Sequence, residues 1–218
     1  MGSPIAVSEI VRNFKLIFWD FDGVIKDSVD IKTEAFVTLF LPYGNDVAVK
    51  VRMHHEANGG MSRFKKLPLY LQWSDIEPTE KLISEFSKKF SRIVTASVIE
   101  APWVNGAEEF LRNNKYDQTF ILVSATPQVE LEIILQQLDL DHVFSSVFGS
   151  PISKGDAICI TLSNLGIASN DALMIGDASA DKEAADENNV AFLLRRHNSN
   201  YTVFSDYEGL SINDLTEL

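Results

Sequence analysis

"KLIFWDFDGVIKDS", residues 15–28, is an apolar run that ends in two carboxylates, Asp20 and Asp22, one residue apart. Residues two apart in a strand share a face, so both acids are expected to look the same way. At ~5 Å and an effective dielectric of ~20, two such charges repel by roughly 3 kcal/mol. The stretch therefore reads as a buried strand running into a site where something positive sits between the acids.

Further apolar runs of strand length occur at 119–124 (TFILVS), 172–177 (ALMIGD) and 190–195 (VAFLLR), with a weaker one at 146–150 (SVFGS). Continuous apolarity, without alternation, is the pattern of parallel strands covered on both faces. Helical patterns over 105–114, 127–138, 155–165 and 180–188 separate these runs. The fold class is therefore α/β, a doubly wound, Rossmann-like parallel sheet. Residues 26–101 break the rhythm, with no convincing strand. One amphipathic helix is predicted over 29–41, with Ile31, Ala35 and Leu39 on a stripe beside Phe36 and Phe40. Another covers 79–97, with Leu82, Phe86, Phe90, Ile93 and Val94 inward. This block, 26–101, is expected to be a helical cap inserted into a core made of 1–25 and 102–218. Its connections would be GVIKDS and IEAPWVNG.

The 31 acidic residues outnumber the 19 basic ones, giving a net charge of -12 over 218 residues. That balance argues against a nucleic-acid backbone or an anionic membrane surface as partner, since either needs a basic face. It leaves room for a small phosphorylated molecule held by a few local cations. Cys159, the single cysteine, lies in an apolar helical stretch and reads as a small core residue in a reducing compartment. No apolar run approaches the ~18 residues of a membrane span, and no basic segment leads into an apolar one at the start. A cytoplasmic location is expected.

Ligands of open α/β sheets bind outside the carboxyl ends of the strands, and the strand ends here carry unusual polar residues. Asp20 and Asp22 follow the first, Ser124 ends the second in ILVSATP, Lys154 follows the weak run in GSPISKGD, and Asp177 and Asp181 follow in MIGDASAD. Thr126 competes with Ser124, but Thr126 followed by Pro127 reads as a helix N-cap with proline at the first helical position.

The order DxDG…S…K…GDxxxD resembles the haloacid dehalogenase superfamily in its aspartate-nucleophile phosphatase branch. The helical insert is similar to that of members related to phosphoglycolate phosphatase and beta-phosphoglucomutase. The resemblance spans nearly the whole chain and implies a Mg²⁺-dependent phosphatase. Asp20 would form an aspartyl-phosphate, and Asp22 would protonate the leaving oxygen and then activate water. Asp20, Asp177 and the backbone carbonyl of Asp22 would bind Mg²⁺, with Asp181 a direct or an outer partner. Ser124 and Lys154 would hold the phosphoryl oxygens. Where the family often has proline after this lysine, Gly155 follows. The same resemblance admits a phosphomutase. A dehalogenase is disfavoured, since that chemistry needs neither Asp22 nor a metal. A phosphorelay receiver also uses aspartates, a hydroxyl, a lysine and Mg²⁺, but it carries its reactive aspartate after an internal strand and lacks a helical insert.

HHEANGGMSRFKK, residues 54–66, admits two readings, of which only the first bears on specificity. Gly59, Gly60, Ser62 and Arg63 could form a loop closing over the substrate, with Arg63 on a carboxylate, a second phosphate or sugar hydroxyls. Alternatively, the glycines stop one helix and Ser62 caps the next, leaving the basic residues solvated. His54 and His55 diverge by roughly 100° on a helix and are not read as a metal pair. Trp19 and Trp73 are read as packing.

Overall fold

Six parallel strands form one sheet in the computed structural model, which describes residues 6–218. Residues 1–5 of the expected core lie outside them. The strands are β1 (Leu16–Trp19), β2 (Thr119–Pro127), β3 (Ser146–Ser150), β4 (Ala172–Gly176), β5 (Ala191–Arg195) and β6 (Ser211–Ile212), in spatial order β3-β2-β1-β4-β5-β6. β1 is flanked by β2 and β4, with Leu16 level with both Thr119 and Ala172. That central position explains its unbroken apolarity. Ile17 and Trp19 pack with Leu122 and Ile175 on one face, and Leu16 and Phe18 with Ile121 and Met174 on the other. The weak run at 146–150 is the edge strand β3. The two-residue β6 at the other edge is too short to leave a pattern in the sequence.

Nine helices are described. They are α1 (Val7–Val11), α2 (Val29–Phe40), α3 (Asn45–Ala57), α4 (Arg63–Trp73), α5 (Glu80–Glu100), α6 (Ala107–Asn113), α7 (Gln128–Gln137), α8 (Lys154–Leu165) and α9 (Ser179–Glu187). α2 to α5 fall between the first two strands and share an aromatic centre. Phe36 and Phe90 lie 4.1 Å apart, and Phe40 packs 5.5 Å from Tyr70. Burying each such side chain contributes about 1.5–3 kcal/mol. The predicted stripes are turned slightly. α2 buries Thr33 with Ala35, Phe36 and Phe40, while Ile93 of α5 is exposed.

The two connections to this helical block hydrogen-bond to each other. Asp27 N donates to Pro102 O at 2.9 Å and Val104 N to Ile25 O at 3.0 Å, while the Lys26 ammonium lies 4.5 Å over the Trp103 ring.

Cys159 is a correction. α8 buries Lys154, Ala157, Ile158 and Thr161, the i, i+3, i+4, i+7 face of a helix, which turns Cys159 outward to solvent.

Candidate active site

β1 ends at Trp19, so the strand alternation that would align Asp20 with Asp22 stops before them. The chain turns instead. Phe21 O accepts from the Ile25 and Lys26 amides, and Gly23 takes a left-handed φ of +77°. The two acids consequently have different partners. Asp20 Oδ1 accepts the Phe21 amide at 2.7 Å, and its Oδ2 lies 2.8 Å from Lys154 Nζ. Asp22 accepts from Ser28 Oγ at 2.6 Å, from Thr126 Oγ1 at 3.4 Å and from the ammonium of Lys32. On the protein side, Asp20 has Lys154 beside it and Asp22 has Lys32.

At the end of β4, Asp181 organises the turn into α9. Its Oδ2 accepts the amides of Asp177 (3.2 Å) and Ala178 (3.0 Å), and its Oδ1 accepts from Lys154. Asp177 accepts from His197 Nε2 at 2.8 Å, and its carbonyl accepts from Asn200 Nδ2 at 2.8 Å. Asp20, Asp177 and Asp181 each offer one oxygen within 4.8 Å of the others, all buried. A Cβ on Gly23 would lie 2.3 Å from Asp177 Oδ2, so only glycine lets this turn approach the carboxylate.

Burial pushes the Asp20 carboxyl up to about 7, the Asp181 charge adds to this, and Lys154 opposes both. Burial likewise raises Asp177 against the pull of His197, and Asp181 against that of Lys154. Three buried carboxylates pushed toward neutrality are what a cation would relieve. An all-oxygen donor set suits a hard divalent ion, so the residues fit a metal site. Asp22 differs. Burial raises it, but Lys32, then Ser28 and Lys154, outweigh that and hold it below its ordinary range.

Ser124 is buried in β2, and its Oγ accepts the Thr126 amide at 3.2 Å, which leaves the hydroxyl proton free to donate. The N-cap reading of Thr126 is corrected. β2 runs on through Pro127 and α7 starts at Gln128, while the Thr126 hydroxyl accepts from Lys32 Nζ at 2.8 Å.

A cavity of about 50 Å³ joins Asp20, Asp22, Asp177, Ser124 and Thr126 to Phe36, His55, Gly59, Gly60 and Arg63 of the helical block. A wider cleft of about 380 Å³ opens beside it, between Gly60–Ser62 and Pro151–Gly155. The 54–66 stretch is less of a loop than expected, because α3 runs to Ala57 and α4 begins at Arg63. Ser62 caps α4, its Oγ accepting the Phe64 amide and lying 2.9 Å from Ser150 Oγ. Arg63 is neither solvated nor free. It is buried, with Nη1 donating to Ser91 Oγ (2.7 Å) and Glu130 Oε2 (2.9 Å), Nη2 donating to Glu130 Oε1 (2.8 Å), and Phe90 beneath it. His54 contacts Tyr70, while His55 Nδ1 meets the buried Lys66 Nζ at 2.8 Å, so the two histidines do diverge.

Lys32, His197 and Glu130 escaped the sequence reading. Lys32 alone left a signal, standing one helical turn after Ser28 so that both reach Asp22.

The profile of haloacid dehalogenase-like hydrolases matches residues 17–194, from β1 into β5. The chain belongs to that family. Membership sets the receiver reading aside. No curated protein matches the sequence of this hydrolase. Among solved structures, it is similar to beta-phosphoglucomutase from Clostridium difficile (17% identity, 94% of this chain and 93% of that one, TM-score 0.74). It is also similar to a predicted phosphatase from Clostridium acetobutylicum (20% identity, 94% and 95%, TM-score 0.72). A third is CbbY from Rhodobacter sphaeroides, solved in complex with phosphate (12% identity, 94% and 96%, TM-score 0.73). At these identities the likeness is one of fold. No described helix of the hydrolase is long and apolar enough to cross a membrane.

Proposed function

We propose that this hydrolase is a Mg²⁺-dependent phosphomonoesterase for a small phosphorylated metabolite, of the sugar-phosphate class, working through an aspartyl-phosphate on Asp20. The observation that carries this reading is the separate pairing of the two acids, Asp20 with Lys154 and Asp22 with Lys32, at one cavity. One acid can then act on phosphorus while the other handles protons.

An Asp20 oxygen attacks phosphorus and the bond to the leaving oxygen breaks, with Asp22 giving that oxygen a proton. A phosphoryl dianion beside Asp22 raises its carboxyl toward the protonated form this step needs. Asp22 then takes a proton from water, whose oxygen attacks phosphorus and frees Asp20 and inorganic phosphate. Ser124 donates to a phosphoryl oxygen, and Lys154 offsets charge on the nucleophile and the phosphoryl group. Asp20, Asp177 and the Asp22 carbonyl would hold Mg²⁺, which supplies further charge neutralisation when bound. Asp181, a direct or outer partner of the ion, also fixes Lys154 and the 177–178 turn.

Release of inorganic phosphate from a panel of sugar phosphates, phosphoglycolate and nucleotides, with Mg²⁺ and with chelator, tests the proposal. Metal-dependent release from a sugar phosphate is expected. No release from any member, or undiminished release with chelator, would overturn it. Product analysis with hexose phosphates separates hydrolysis from transfer to a second hydroxyl.

A further inference from the structure

Arg63 is the arginine that lines the cavity, and it is already satisfied. Its two terminal nitrogens are gripped by both oxygens of Glu130 at 2.8 and 2.9 Å, and Ser91 Oγ donates to the same carboxylate at 2.5 Å. Arg63 is 5% and Glu130 8% exposed, so the pair is shielded from water. A two-pronged arginine–carboxylate pair is among the strongest charge-assisted contacts. An anionic group seeking Arg63 must either displace Glu130, stranding a buried carboxylate, or lie beside it and meet like charge.

The buried and half-buried lysines beside the cavity are committed in the same way, while the exposed Lys65 lines the wider cleft together with Glu183 and Glu187. Lys32 serves Asp22, and Lys154 serves Asp20 and Asp181. Lys66 stands behind His55 with no carboxylate partner among the described residues. Burial, reinforced by Lys32, drives it toward its neutral form, and burial with Lys66 does the same to His55. Around the cavity, Asp20, Asp22, Glu130, Asp177 and Asp181 thus oppose Lys32, Arg63 and Lys154. Even a divalent ion only balances them before the phosphoryl group enters. The walls that remain, Phe36 and Phe90 among them, are uncharged.

We infer that Glu130 is a specificity-determining residue: by cancelling Arg63 it restricts the hydrolase to phosphate esters whose leaving group carries no charge. The inference deepens the phosphomonoesterase reading and rests on it. It makes polyol or sugar monophosphates the preferred class, ahead of bisphosphates and phosphorylated carboxylic acids. Glu130 lies in the first turn of α7, three residues past ILVSATP.

2-Hydroxyethyl phosphate and 2-phosphoglycolate are nearly the same size and differ in the charge of the leaving group. Their kcat/KM ratio is measured for the wild type, Glu130→Gln and the double variant Glu130→Gln/Arg63→Met. Their dissociation constants are measured by calorimetry in chelator, where turnover is not required. The wild type should favour the hydroxyethyl ester at least tenfold in both readouts. Glu130→Gln keeps the shape but releases the Arg63 charge, and should move both ratios at least tenfold toward phosphoglycolate. The double variant should lose that shift. A wild type that prefers phosphoglycolate overturns the inference however the variants fold, and so does an unchanged ratio in Glu130→Gln or absence of binding by both esters. If the binding ratio shifts while neither ester is hydrolysed, the role of Glu130 stands and the phosphatase reading falls.

Discussion

Lys154 Nζ lies 2.8 Å from Asp20 Oδ2 and also donates to Asp181, so one buried ammonium ties the ends of β1 and β4 together from the first turn of α8. Burial opposes the charge of Lys154, but Asp181 and Asp20 outweigh it and raise its pKa above the ordinary lysine range, so it stays charged. Lys154→Met should lower kcat by roughly a hundred- to a thousandfold, the usual cost of removing one preorganised charge-stabilising donor. Steady-state rates on an aryl phosphate at saturating Mg²⁺ check this. A variant within threefold of the wild type would remove Lys154 from the chemistry.

Asp22→Asn separates the paired acids. It preserves the backbone carbonyl and, through its one remaining oxygen, the contact from either Ser28 or Lys32, but cannot shuttle a proton. Phosphorylation by alkyl phosphates should slow about 10²–10⁴-fold, and by aryl phosphates much less, because a phenolate needs little protonation to leave. Single-turnover rates for the two ester types decide the point. Equal losses would count against Asp22 as the acid.

Gly23→Ala tests the close approach of the first turn to Asp177. The new Cβ would sit 2.3 Å from Asp177 Oδ2 at a backbone φ of +77°, so the carboxylate must move. Disturbing a ligand's support typically weakens metal affinity about 10–100-fold. Titration with Mg²⁺, read calorimetrically, should show that loss with the unfolding midpoint in chelator lowered only modestly. Unchanged Mg²⁺ affinity would take Asp177 out of the metal site.

Much of this site was legible because unbroken apolar runs mark buried parallel strands, and polar residues at their ends had no reason to be there except the site. Ser124, Lys154 and Asp177 were found that way. The pairs His197–Asp177 and Arg63–Glu130 were not, because each joins residues on separate elements whose spacing carries no periodic signal, and Lys32–Asp22 was missed although Lys32 stands one helical turn after Ser28. Thr126 was misplaced because Thr-Pro imitates a helix start, whereas the pull of Lys32 on its hydroxyl and the pairing of Pro127 with Ser150 keep the segment in the sheet. Cys159 was misread from composition when the helical period already turned it outward.

Lys66 gives a stability prediction with a defined sign. It is 1% exposed and its pKa is well below the ordinary 10.5, through burial first and then the Lys32 charge. The unfolded chain therefore binds a proton that the folded chain resists, and the wild type gains stability as pH rises toward 10.5. Lys66→Met removes that burden. It should be more stable near pH 7, with the advantage shrinking as pH approaches 10.5. Urea unfolding at several pH values measures the difference. A variant less stable than the wild type at neutral pH would show that the Lys66 cation is itself stabilising.

The phosphoenzyme is the most direct test of the central claim. The hydrolase is mixed with an aryl phosphate and Mg²⁺, quenched in acid within the first turnover, digested and examined by mass spectrometry. The account predicts one phosphoryl group on the peptide carrying Asp20, absent from Asp20→Asn, which should release no phosphate above background. Phosphate release by Asp20→Asn at the wild-type rate, or a phosphoryl group on any other residue, would contradict it.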